Sequence, residues 1–350
     1  MRRVSAAAVA GASVLLAAAC SSGGGQSQAS STSSGTSGSK PVTLGISMPF
    51  LSADFEVVLE KQLQSHAAQL GMKVLPPTNA DMQSGQQITD VRNLISEGAT
   101  ALVVIANDSK AIIPALAYAK SHNVPVVSLD IGPNGGKVAM IVRADNVQMG
   151  TDACMAIGKA VHGTGKVLSL EGALTSINGL DRTTGFHTCI VKNFPHITLI
   201  EKPTNWDPAT QSNDIQTVLT ANPDLKAIYM QSDWALSAAL QTIKQAGHGA
   251  AAGRAGHVYT MSIDGTPLGL SMVRSGQLDA EISQPLNLYV RYGLQYIQQA
   301  VAGKTFSAGP TSHGTTIQLF NGNPMDLMPP TLVTTANVSD PGLWGNELKK

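Results

Sequence analysis

Ala101-Leu102-Val103-Val104-Ile105-Ala106-Asn107-Asp108 is a run of six apolar residues closed by two polar ones. The construction returns at Val124-Pro125-Val126-Val127-Ser128-Leu129-Asp130, again ending on a carboxylate. Short unbroken apolar runs suit strands of a parallel sheet covered on both faces, whereas a half-exposed strand would alternate. Between them, residues 112–121 read as a helix. Further back, 42–47 reads as a strand, 55–70 as a helix stopped by Gly71, and 72–75 as a strand. Residues 84–96 form a helix with Ile88, Val91, Leu94 and Ile95 on one face, stopped by Gly98. Strands alternating with amphipathic helices are βαβ units.

Reading forward, the pattern repeats. Strands are expected at 166–170, 197–201, 226–230 and 257–263, with helices at 185–193, 213–220 and 235–246. The letters repeat as well: Pro77-Thr78-Asn79-Ala80-Asp81 returns as Pro203-Thr204-Asn205-Trp206-Asp207. Asn107-Asp108 and then Asp130 follow the first copy; Ser232-Asp233 and then Asp264 follow the second, each at a strand end. The expected fold is α/β: two similar doubly wound parallel-sheet lobes joined by a hinge. At 350 residues the chain is long enough for two such cores. Ligands of open parallel sheets sit beyond the carboxyl ends of the strands, so two facing lobes enclose a cleft.

The chain carries 23 basic and 23 acidic residues, a formal net charge of zero. That argues against nucleic acid as a partner, since phosphate neutralisation needs a basic face. Residues 1–19 read as an export signal, with Arg2 and Arg3 ahead of a small, apolar, uncharged run. The run ends Leu16-Ala17-Ala18-Ala19-Cys20, similar to a bacterial lipobox whose Cys is lipidated and becomes the mature N-terminus. Residues 21–40 hold nine Ser and five Gly and read as a flexible tether. This start places the body outside the cytoplasm, attached to a membrane by a lipid anchor.

Cys154 and Cys189 remain. In an oxidising compartment an even remainder suggests one disulfide, with two buried thiols as the alternative. No CxxC or HExxH is present, so no metal site is expected. Gly163-Thr164-Gly165-Lys166 lacks the first glycine of a phosphate loop, since Ala160 holds that place. There is no Gly-x-Ser-x-Gly elbow, and no catalytic set or cofactor is assigned.

As a set, these motifs resemble the type I periplasmic sugar-binding proteins of ABC importers, the ribose- and xylose-binding group. Residues 124–130 are similar to that family's IPVxxxD strand, and Ala144-Asp145-Asn146 with Gly150 to its crossover segment. Arg182 with Gly185-Phe186 is similar to its R-x-x-GF, residues 231–235 to its xNDxMA, and residues 263–267 to its GFDGTP. The resemblance implies a hinged two-lobe trap for a monosaccharide or sugar alcohol, acting as a monomer, not an enzyme, and handing its ligand to an ABC transporter permease. It implies a first lobe of residues 41–144 and 285–313, and a second of 145–284 and 314–350.

Carried over by position, the ligand contacts are Phe50, Ser52, Asp54 and Phe55 in the first strand–helix loop, then Asn107, Asp130 and Arg143. The second lobe supplies Asn178, Trp206, Ser232, Asp264 and Gln284. The chemistry suits polyols: carboxylates accept from hydroxyls, amides accept and donate, and Trp206 offers an apolar face. In place of a contacting arginine of the ribose-type pattern stands Leu180. Asp264 has a second reading, as the cap of the turn at 266–268. Two rival functions stay open: a sensor-type binding protein for a signal molecule such as a furanosyl autoinducer, and a lipid-anchored carbohydrate-active enzyme, which needs a carboxylate pair at catalytic separation.

Overall fold

The computed structural model describes residues 41–252 and 254–347. The export signal, Cys20, the tether over 20–40 and residues 348–350 lie outside the described residues.

The chain opens with β1 (Thr43–Met48), α1 (Asp54–Gln69), β2 (Lys73–Val74) and β3 (Thr78–Asn79). It continues through α2 (Ser84–Ser96), β4 (Ala101–Val104), α3 (Ile113–Ser121), β5 (Val126–Leu129) and β6 (Met140–Ala144). Every residue of β4, β5 and β6 is buried, as their apolar runs require. The chain then builds a second sheet from α4 (Asn146–Ala160), β7 (Thr164–Glu171), α5 (Ile177–Asn193), β8 (His196–Pro203) and α6 (Pro208–Ala221). β9 (Leu225–Met230), α7 (Leu236–Ile243), β10 (Tyr259–Asp264), α8 (Pro267–Arg274) and β11 (Ala280–Ser283) complete the second pass. α9 (Leu286–Val301) returns to pack on β4, β5 and β6, followed by β12 (Gly309–Pro310), β13 (Thr316–Phe320) and β14 (Asn323–Met328). β15 (Thr331–Val333) and α10 (Trp344–Glu347) end on the second lobe.

The first sheet runs β12-β13-β14-β6-β5-β4-β1-β2, with β3 also on β1; the second runs β15-β11-β10-β9-β7-β8. Pairings are parallel except for β12 with β13, β13 with β14, and β15 with β11. These are the two doubly wound parallel-sheet lobes that the alternating pattern predicts.

One boundary is corrected. The sequence reading gives residues 314–350 to the second lobe, yet β13 and β14 extend the first sheet, with Met325 of β14 opposite Ile141 of β6. The reason is the edge of β6: a fully buried strand cannot leave its ladder unpaired, and β14 covers it. The chain therefore crosses between the sheets at 144–146, 283–286 and 328–331. The crossings meet. The Tyr289 hydroxyl accepts from the Ala144 amide (2.7 Å) and donates to Gln284 Oε1 (3.1 Å), and the Asp145 amide donates to the Met328 carbonyl (3.1 Å).

α4 and α5 lie against one another through glycine. A β-carbon at Gly150 would overlap the Arg182 carbonyl, and one at Gly185 the Val147 carbonyl, so each helix admits the other's backbone only as glycine. About one turn further along each helix, Cys154 and Cys189 stand with Cα atoms 6.1 Å apart and are joined as a disulfide. α5 begins eight residues before the predicted start, at Ile177, where the Ser176 side chain accepts from the Asn178 amide.

Candidate functional site

In each sheet the strand order reverses, between β1 and β4 in the first and between β7 and β9 in the second. Carboxyl-end loops at such switch points are where open α/β sheets hold ligands. Here they face each other across a narrow cavity of about 30 Å³. Phe50, Ala53, Glu56, Asp130 and Ile131 line it from the first lobe. Asn178, Arg182, Trp206, Ser232, Trp234, Asp264 and Gln284 line it from the second. That is room for about one or two waters, far below the ~300–1,000 Å³ usual for small-molecule sites, so a sugar-sized ligand needs the lobes to part.

Backbone strain marks the wall. Asp130 (φ 56°), Trp206 (φ 64°) and Asp264 (φ 136°) occupy the left-handed half of backbone space, where non-glycine residues are costly unless the surroundings hold them. Asp264 is held on both oxygens: Gln284 Nε2 donates to Oδ1 (2.8 Å), and Ser232 Oγ (2.8 Å) and the Asp233 amide (3.0 Å) donate to Oδ2. Its carbonyl accepts from Trp344 Nε1 of α10 (2.9 Å). Asp264 does not cap the next helix; Thr266 does, accepting from the Gly269 amide (3.0 Å). Beneath this loop, buried Asp233 accepts from the Thr266 hydroxyl (2.7 Å) and buried Glu281 from the Gly265 amide (2.7 Å).

Several contacts join the lobes at the cleft. Phe50 stacks on Trp234 with centroids 4.9 Å apart and planes at 11°. Asn178 Nδ2 donates to Asp130 Oδ1 (2.9 Å). Arg143 donates to Asp181 (2.7 Å) and to Asn178 Oδ1 (2.8 Å). Within the second lobe, Arg182 donates to Asn146 Oδ1 (2.7 Å), lies 4.0 Å from Asp264 Oδ1, and sits over the Trp206 ring at 5.8 Å.

Burial raises the acids of this wall, since it penalises the charged form. Asp264 is pushed up to about 7 by burial, with Asp233 adding to the rise and Arg182 opposing it. Asp130 is raised by burial against the pull of Arg182, Arg143 and the Asn178 hydrogen bond. Glu56 stands well above the ordinary carboxylate range through burial first, then the charges of Asp264 and Asp130.

Of the residues singled out in the sequence, Phe50, Asp130, Asn178, Trp206, Ser232, Asp264 and Gln284 meet at this cavity. Ser52, Asp54 and Phe55 line a neighbouring one with Asp233, Trp234 and Thr266; Phe55 also packs edge-on against Tyr289 and Trp344. Asn107 does not line the cavity: its amide donates to the Met82 carbonyl (2.9 Å) and Ser84 Oγ (3.0 Å) and so fixes the start of α2. Arg143 is buried in its ion pair with Asp181, off the cavity. Sequence reasoning did not single out Glu56, Trp234 or Arg182. Glu56 lies in the first turn of α1, where a carboxylate looks like ordinary helix-start decoration. Leu180 is 45% exposed, so the arginine that reaches the cavity is Arg182, within the quoted R-x-x-GF. Among the described residues no group of three or more His, Cys, Asp or Glu is placed to hold a metal ion, and no helix is long and apolar enough to cross a membrane.

Two doubly wound lobes with one polar cavity between their strand ends define a two-lobe solute-binding protein. The model of the periplasmic binding protein domain matches residues 44–305, and the chain belongs to that family. It is 28% identical over 271 residues to the ribose import binding protein of Bacillus subtilis (strain 168), covering 77% of this chain and 85% of the relative. It is 26% identical over 234 residues to the xylitol-binding protein of Mycolicibacterium smegmatis, covering 66% and 65%. A solved galactofuranose-binding protein shares the fold at a TM-score of 0.75 and 20% identity, over 88% of this chain and 99% of that one.

Proposed function

We propose that this chain is an extracytoplasmic lipoprotein, anchored through Cys20, that captures a monosaccharide or sugar alcohol between its lobes and delivers it to an ABC transporter permease. The carrying observation is the shared cavity: Asp130 from one lobe, and Asp264, Asn178 and Gln284 from the other, converge on a space beside the Trp206 face. Hydroxyls donate to the carboxylates while the amides accept and donate, and the indole covers C–H groups. Residues 41–144 with 286–328 move as one lobe and 145–284 with 331–347 as the other, opening on the three crossings. Ligand bridging both lobes favours the closed arrangement, which is the form presented to the permease. The curated relatives named for ribose import and xylitol binding support this ligand class.

A thermal-shift screen across pentoses, hexoses and their alditols tests the reading. Binding to the native state alone stabilises by RT ln(1 + [L]/Kd), about 2.7 kcal/mol at a hundredfold excess over Kd. At least one such compound should raise the melting temperature of the mature chain; absence of any shift at millimolar ligand contradicts the proposal. Anchoring is tested separately: a Cys20→Ser variant should leave the membrane fraction.

A further inference from the structure

Resting on the ligand class just proposed, we infer that the solute carries a protonated amine besides its hydroxyls, an amino sugar or aminated polyol, with Glu56 as the counter-charge for that amine. Three carboxyl side chains, Glu56, Asp130 and Asp264, line one small cavity, and among the described residues Arg182 is the one cation lining it. All three acids are more than nine-tenths buried, at 8%, 3% and 5% exposure.

The acids differ in what they already hold. Asp264 is engaged on both oxygens by Gln284, Ser232 and Asp233. Asp130 accepts from Asn178 and feels Arg182 and Arg143. Arg143 itself is taken up by Asp181 across the lobes. Glu56 has no partner from another residue among the described residues; its carboxyl hydrogen-bonds only its own backbone. A buried charged group is normally paired, and a carboxyl without a partner on a cavity wall leaves a place for a donor from the ligand. Glu56 is raised by burial and by the neighbouring Asp264 and Asp130, a penalty that a cation among the three acids would relieve. A neutral polyol would leave the three carboxyls facing one guanidinium. An ammonium donates up to three hydrogen bonds and lowers the excess of negative charge.

The test uses matched pairs on the mature chain at about pH 7: D-glucose and D-glucosamine, D-galactose and D-galactosamine, sorbitol and 1-amino-1-deoxysorbitol. Calorimetry should show the amino member of at least one pair binding about tenfold or more tighter than its neutral partner, the scale of a charge-assisted hydrogen bond. In Glu56→Gln that preference should fall below about threefold. Glu56→Asp reads out placement: with the charge kept and the reach shortened, part of the preference should survive. Thermal unfolding of both variants without ligand shows that they fold. Neutral members binding as tightly as amino members in every pair overturns the amine assignment and leaves the sugar reading standing. An amine preference that survives unchanged in a folded Glu56→Gln overturns the role of Glu56. No binding by any member of any pair overturns the amine assignment, and the thermal-shift screen across pentoses, hexoses and alditols then decides the sugar reading separately.

Discussion

Asp264 joins three hydrogen-bond donors of its own lobe while facing the cavity, so replacing it acts twice. Asp264→Ala should weaken ligand binding by about 10²–10⁴, as expected for losing a charged acceptor of two hydroxyls. The same change strands Ser232, the Asp233 amide and Gln284, so the ligand-free protein should lose about 1–3 kcal/mol as well. Calorimetry and urea unfolding on one variant separate the two effects, and unchanged affinity removes Asp264 from the site. Trp206 and Trp234 are separable reporters. Trp206 lies in the wall beside Arg182, whereas Trp234 stacks on Phe50 of the opposite lobe. Trp234→Phe should therefore remove the fluorescence change that tracks lobe closure, and Trp206→Phe the part that depends on ligand chemistry. Equal ligand responses in the two variants and the parent would contradict this division.

The α4–α5 pair is the element on which the second lobe's wall rests, because Asn178 and Arg182 project from the first turns of α5. Gly150→Ala should cost about 1–3 kcal/mol through overpacking and should also weaken ligand binding, because the clash falls on the Arg182 backbone. Cys154 and Cys189 close a loop with a separation of 35 residues between these helices. On the chain-entropy account the bridge contributes about 3–4 kcal/mol, so reduction should lower urea stability by that order. Free thiols alkylated in non-reduced, denatured exported protein would remove the bridge. Sequence reading reached the strands whose apolar runs are unbroken and the polar residues that close them, since burial on both faces leaves that trace. It missed the first turns of α5, where Gly179 interrupts the apolar spacing and only Ser176 signals the start. It also missed β13 and β14, whose interspersed polar residues leave no apolar run. Glu56 and Trp234 were illegible for a different reason. What they face belongs to the other lobe, and no local pattern records it.

On the scale of the whole molecule, closure gathers acids. Asp264 ordinarily titrates at 3.8 and is pushed up to about 7 in the closed cleft, with Glu56 and Asp130 raised alongside. An acid raised in the folded form holds its proton more tightly there. Its contribution is complete below the ordinary value and is lost as pH rises through the raised one. Opening the cleft rehydrates these groups, so the ligand-free protein should be more closed at about pH 5 than at about pH 8. Small-angle scattering should show a larger radius of gyration at the higher pH, and Glu56→Gln should reduce the difference. Equal radii would show that the acids are already hydrated in the ligand-free form.

The pairing of β14 with β6 also sets an order on the chain's birth. The first lobe begins with Thr43 yet is not finished until Met328 has joined the sheet. Until then β6, with Met140, Ile141 and Val142 fully buried in the native fold, has an open edge. A chain that stops short of β14 therefore displays an unpaired apolar strand. A fragment ending near residue 305 should aggregate, however well each of its helices forms.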